Sequence, residues 1–180
     1  MEKVKKLINL CLMKYTLLVF CCLLFLSSVK AQDHNWAFGF YGDVQLEDAS
    51  YDASFGVQGK YDIGNYQALQ AQVHGRGDFV GVGADYLVNL LNKRKSNFNV
   101  FLGGGFSQEF YTYDYTLVND EEHTIQSKEN FSIANGQAGL SYYFAPVQLS
   151  LYVGYKLKYQ FKNELVDPNY LMFGLRYHIW

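Results

Sequence analysis

The stretch Gln148–Phe161, QLSLYVGYKLKYQF, puts its large apolar residues on one parity: Leu149, Leu151, Val153, Tyr155, Leu157, Tyr159 and Phe161. The other parity holds Gln148, Ser150, Tyr152, Gly154, Lys156, Lys158 and Gln160, polar or small except for Tyr152. A period of two makes this a strand with two unlike faces. It is longer than the ~5–6 residues of an average strand and reaches the roughly 9–11 needed to cross a bilayer at a tilt. With 16 Gly, 30 Tyr and Phe together and only 2 Pro in 180 residues, nothing interrupts further strands of this kind.

The N-terminus has a different character. Lys3, Lys5, Lys6 and Lys14 precede an apolar run from Tyr15 to Leu26, followed by Ser27-Ser28-Val29-Lys30-Ala31. A basic region, a short apolar run and a small-residue site read as a signal peptide over residues 1–31, cleaved after Ala31. Met13 is an alternative start that would give the basic region a more ordinary length. The run is too short for the ~20 residues of a transmembrane helix, and no later segment is apolar enough. Cys11, Cys21 and Cys22 all lie in this segment, so residues 32–180 hold no disulfide and no thiolate ligand. Five of the 15 Lys+Arg and one of the 17 Asp+Glu also lie there, which leaves 10 against 16 in the mature domain. An acidic chain with no basic stripe is not a nucleic-acid binder.

Seven further segments repeat the alternation: Trp36–Gln45, Tyr51–Asp62, Tyr66–Arg76, Phe79–Val88, Phe98–Phe110, Asn130–Phe144 and Tyr170–Trp180. Short turns at Ile63–Asn65, Gly75–Asp78 and Ala145–Val147 predict antiparallel neighbours. Asn89–Asn97 is a longer basic turn, while Thr112–Glu129 and Lys162–Asn169 read as polar loops. Eight antiparallel strands in order close into an up-and-down barrel without free edges.

Alternation does not say which face is outside, since a lipocalin-like soluble barrel alternates with its apolar face inward. Aromatic residues mark the strand ends of the apolar face: Trp36, Tyr51, Tyr61, Tyr86, Phe98, Phe110, Tyr142, Tyr159 and Tyr177. Girdles at two membrane interfaces require that placement, and a ligand cavity does not. The polar parity is rich in Gly, Ser and Gln with few charges, which suits a narrow lumen better than a water-facing surface. The expected architecture is therefore an eight-stranded antiparallel transmembrane barrel in the outer membrane of a Gram-negative bacterium. Its partners would be outer-membrane lipid and, during biogenesis, the barrel-assembly machinery.

On these residues the span Trp36–Trp180 resembles the small eight-stranded outer-membrane barrels, the OmpA/OmpX-like barrels of Bacteroidota. Such chains end in an aromatic residue that belongs to a C-terminal assembly signal, here Tyr177, Ile179 and Trp180. The terminal Trp180 is one residue out of step with the apolar parity of Tyr177 and Ile179. A narrower resemblance is to the conjugal transfer protein TraO family, also of Bacteroidota. It rests on Gly64-Asn65-Tyr66-Gln67, Lys93-Arg94-Lys95 before the strand Asn97–Gly105, Glu129-Asn130-Phe131, and the spacing from Asn163-Glu164-Leu165 to Gly174-Leu175-Arg176-Tyr177. It implies a conjugation-machinery partner.

The polar parity points Asp43, Asp52, Lys60, His74, Arg76, Asp85, Glu109, Lys156, Lys158 and Arg176 into the lumen. Charges there need partners, so a salt-bridged plug is expected, in an interior only wide enough for side chains. His74 with Ser54 or Ser107 and a carboxylate would be the hydrolytic alternative, but no sequence spacing supports a triad. No cofactor or metal is expected; the acidic Asp120-Glu121-Glu122-His123 reads as a solvated loop. The function expected is a non-enzymatic barrel acting through its extracellular loops or within the envelope, with an envelope or conjugation protein met at Thr112–Glu129. Two alternatives stay open: a lipid-modifying outer-membrane enzyme, and a soluble binder of hydrophobic ligands.

Overall fold

The structure is a computed structural model that describes residues 34–46, 52–118 and 122–179. The expected signal peptide, Tyr51 and Trp180 lie outside the described residues. Eight strands follow one another: β1 (Trp36–Gln45), β2 (Ala53–Asp62), β3 (Gln67–Arg76), β4 (Phe79–Asn89), β5 (Phe98–Val118), β6 (Glu122–Phe144), β7 (Leu149–Gln160) and β8 (Leu165–Ile179). Each pairs antiparallel with the next, and β8 closes on β1 with Trp36 opposite Ile179. The end that carries Trp36 and Ile179 is called the base, and the opposite end the top.

Two expected loops are strands instead. β5 and β6 run on through most of the Thr112–Glu129 segment as a ladder from Thr112↔Lys128 to Val118↔Glu122. β4 stops pairing with β5 at Tyr111, and β7 first meets β6 at Ile133. Thr112 N still donates to Asp78 O at 2.8 Å and Glu129 still meets Lys162 at 3.2 Å; beyond those residues the upper hairpin pairs only with itself. Tyr113, Tyr115, Thr116 and Val118 are strong strand formers, which explains the continuation. The second correction is the Lys162–Asn169 loop: β8 begins at Leu165, and only residues 161–164 turn. Glu164 takes φ 50 in that turn.

Alternation maps onto the wall without a slip in most strands. Phe40 is 68% exposed, Phe55 62% and Phe106 69%, whereas Lys156 and Asp85 are 2% exposed. That is a soluble barrel inside out, and it rules out the lipocalin-like arrangement. The outward positions, taken over 36–44, 53–61, 67–75, 80–88, 98–110, 130–144, 149–159 and 171–179, carry no charged residue. One arginine or lysine at that depth costs about 2–4 kcal/mol in a bilayer. Among the described residues the register shifts between Lys156 and Lys158 against β8, as at a bulge. A bulge bends and twists the strand locally.

Glycine makes room where side chains cross the lumen. A Cβ on Gly105 would run into the Asp85 carboxylate, and one on Gly174 into the Tyr152 ring.

Candidate functional site

The interior is the candidate site, and it forms three storeys. In the upper half, β1, β5 and β7 bring Asp43, Glu109 and Lys158 together. Lys158 Nζ lies 3.0 Å from Glu109 Oε1 and 3.6 Å from Asp43 Oδ2. Tyr111 donates to Glu109 Oε2 at 2.8 Å, and Tyr41 to Asp43 Oδ2 at 3.0 Å. Lys156 in turn donates to the Tyr41 hydroxyl at 2.8 Å. Above this set stands an aromatic wall. Phe79 stacks on Tyr111 at 5.1 Å, and Phe131 meets Tyr111 edge-on at 5.5 Å. The Lys162 ammonium lies 5.0 Å from the centre of the Phe131 ring, a cation–π contact.

The middle storey is a relay of amides. Gln70 donates to Gln72 at 3.2 Å, and Gln72 to Asp85 Oδ2 at 2.9 Å. Arg176 donates to Gln58 at 3.1 Å and also to Gln70. Its guanidinium lies 3.9 Å from the Tyr152 ring, and Tyr152 donates to the same Gln58 oxygen at 3.1 Å. The relay ties β2, β3, β4, β7 and β8 across the lumen.

At the base the β4–β5 turn folds under the barrel. Lys93, 4% exposed, enters the lumen, 3.2 Å from Asp62 Oδ2 and 3.4 Å from both His34 O and Asn35 Oδ1. Lys60 binds the same carboxylate at 2.8 Å. Asn99 holds the turn by accepting from Leu91 N at 3.2 Å and donating to Leu91 O at 2.9 Å. This geometry is why the β4–β5 turn takes residues 90–97 where residues 63–66 suffice between β2 and β3.

Of the ten charged residues expected inside, Asp43, Lys60, His74, Asp85, Glu109, Lys156, Lys158 and Arg176 are buried. Asp52 and Arg76 are not. They pair with each other at the top rim, half-exposed, with Arg76 Nε also 2.5 Å from Asp78 Oδ1. Alternation is right about their face but silent about height, and both sit at strand ends where water reaches. The Arg76 guanidinium holds the Asp78 carboxyl below the usual carboxylate range. Asp62 and Lys93 were missed as interior charges. Asp62 shares the parity of Lys60, so its signal was present. A turn residue such as Lys93 has no periodicity to read. Tyr41, Leu87, Phe101, Tyr152 and Met172 form an apolar cluster inside the polar lumen, against their parity's character.

Ser54, His74 and Asp43 do meet, but not in hydrolytic order. The Ser54 hydroxyl donates to Asp43 and lies 2.9 Å from His74 Nδ1. In a triad the acid orients the histidine, and the histidine takes the serine's proton. Here the serine spends its proton on the acid, and His74 Nε2 faces Gly81. All three side chains are buried inside the barrel, at 2–3% exposure. Among the girdle residues, Trp36, Tyr61, Tyr86, Phe98, Phe110, Tyr159 and Tyr177 are exposed, and Tyr142 is half-buried.

Solved structures share this architecture. The N-terminal β-barrel domain of Pseudomonas aeruginosa OprF superposes with a TM-score of 0.63 at 14% identity, covering 82% of this chain and all of that domain. Neisserial surface protein A gives 0.53 at 16% identity, over 80% of this chain and 96% of that one. The Yersinia pestis attachment invasion locus protein Ail gives 0.52 at 12%, over 81% and 97%. The chain has the fold of the small eight-stranded outer-membrane barrels. No family model and no curated protein matches it. At these identities the likeness speaks for the fold alone, and neither Bacteroidota nor the TraO family is supported by it.

Proposed function

We propose that this chain is a non-enzymatic outer-membrane protein, closed to conduction, that meets its partner through the upper β5–β6 hairpin. The observation that carries the membrane reading is the inverted barrel: an outward belt without a charge, around a lumen full of paired ones. The base is then periplasmic and the hairpin extracellular. Beyond the Thr112↔Lys128 pair the hairpin strands pair only with each other, and its segment holds Asp114, Asp120, Glu121, Glu122 and Glu129 against Lys128. Exported by its N-terminal segment, such a chain would be folded into the membrane by the barrel-assembly machinery. The conjugative role is the narrower form of this reading. It rests on the TraO-like residues, and co-transcription with transfer genes would support it.

The test is fractionation. The full chain, expressed with its N-terminal segment, should stay with outer membranes through high-salt and carbonate washes. It should run faster on SDS gels unboiled than boiled, because a closed barrel resists the detergent. Recovery as a soluble periplasmic species with no gel shift would overturn the proposal.

A further inference from the structure

The base storey encloses a cavity of about 20 Å³, between the β4–β5 turn and the lumen floor. A space of that size takes one water-sized particle. Its lining includes Lys60, Lys93 and Arg176, together with His178 and Ser150. No carboxylate among the described residues lines it. Asp62, which binds Lys60 and Lys93, stands behind them and supplies one negative charge for two ammonium groups. Among the described residues Arg176 hydrogen-bonds to Gln58 and Gln70 and lies over the Tyr152 ring, all neutral, while the Asp62 and Asp85 carboxylates attract it through space. Three buried cations therefore converge on a small space against two carboxylates, Asp62 and Asp85, and an unanswered buried charge costs several kcal/mol.

We infer that this cavity binds a monatomic anion, chloride under ordinary conditions, held between Lys60, Lys93 and Arg176. An anion of one charge cancels what Asp62 and Asp85 leave of the charge of the three cations. A monatomic one fits the space, whereas sulfate or phosphate does not. Lys93 arrives on a turn and the other two on barrel strands β2 and β8. The ion would thus fasten the base plug to the wall.

Bromide is the probe, because it scatters anomalously and mimics chloride. Crystals of the protein grown in bromide should show an anomalous peak between the three cations. In detergent with ionic strength held constant, the unfolding temperature should rise in chloride or bromide relative to gluconate. The rise should saturate. Lys162→Gln, which changes an exposed lysine at the other end, should keep it, and Lys93→Met should lose it. An empty or water-filled cavity in bromide crystals whose surface sites are labelled would overturn the inference. So would a halide effect that survives in Lys93→Met. If that variant does not fold, the wild-type bromide map decides alone.

Discussion

Lys158 is the residue on which the upper lumen depends. Two carboxylates, Asp43 and Glu109, lie within 3.6 Å of its ammonium, and all three side chains are buried. Removing the cation leaves two acids facing each other out of water. Breaking a buried pair in this way costs about 3–5 kcal/mol. Lys158→Met should therefore lower unfolding stability by that order, measured by urea titration of the barrel in lipid vesicles. Glu109→Gln should cost less, because Lys158 keeps Asp43 and Tyr111 keeps an acceptor. Neutralising all three as Asp43→Asn, Glu109→Gln and Lys158→Met should recover much of the loss, since it leaves no uncompensated charge. A neutral Lys158→Met would mean that water reaches this storey. The chemistry of these residues was legible in the sequence from parity alone. Their partners were not, because which strands face one another across the lumen depends on tilt and stagger, and alternation carries neither.

The β5–β6 hairpin shows where strand reading fails. In the wall, lipid on one side and lumen on the other impose two unlike faces, so period two is strong. Above Tyr111 and Ile133 the ribbon has no membrane beside it, and the pressure to alternate ends. Charges at Asp114 and Glu129 then look like a loop although the backbone stays paired. β8 repeats the lesson above Tyr170, where Leu165 and Val166 already pair with Gln160 and Tyr159. Because the ribbon pairs only with itself there, the barrel should not need it. Thr112 stands directly opposite Lys128, so residues 113–127 can be replaced by an Asn-Gly turn without changing register. That variant should still fold, insert and shift on unboiled gels, while losing the partner captured by the full chain. Loss of the gel shift would show that the hairpin is part of the fold rather than an appendage to it.

At the scale of the whole molecule, eight strands leave a lumen that side chains just fill. This chain fills it with different chemistry at each height. Aromatic rings meet at the top, an amide and guanidinium relay crosses the middle, and a folded turn sends Lys93 to Asp62 at the base. Each storey joins strands that are not neighbours, as Arg176 of β8 joins Gln58 of β2 and Gln70 of β3. Opening a continuous water path would require breaking contacts in all three at once, and hydrogen bonds to charged groups are each worth about 1.5–3 kcal/mol. The expected behaviour in planar lipid bilayers is no steady current at moderate voltage. Replacing Lys93 alone should not change that, because the Arg176 relay and the aromatic wall stay in place above it. A combined Lys93→Gly, Arg176→Gly and Tyr111→Gly barrel should conduct if those contacts are the seal. A steady ohmic current in the wild-type protein would overturn the closed interior and turn attention to the polar lumen as a pore.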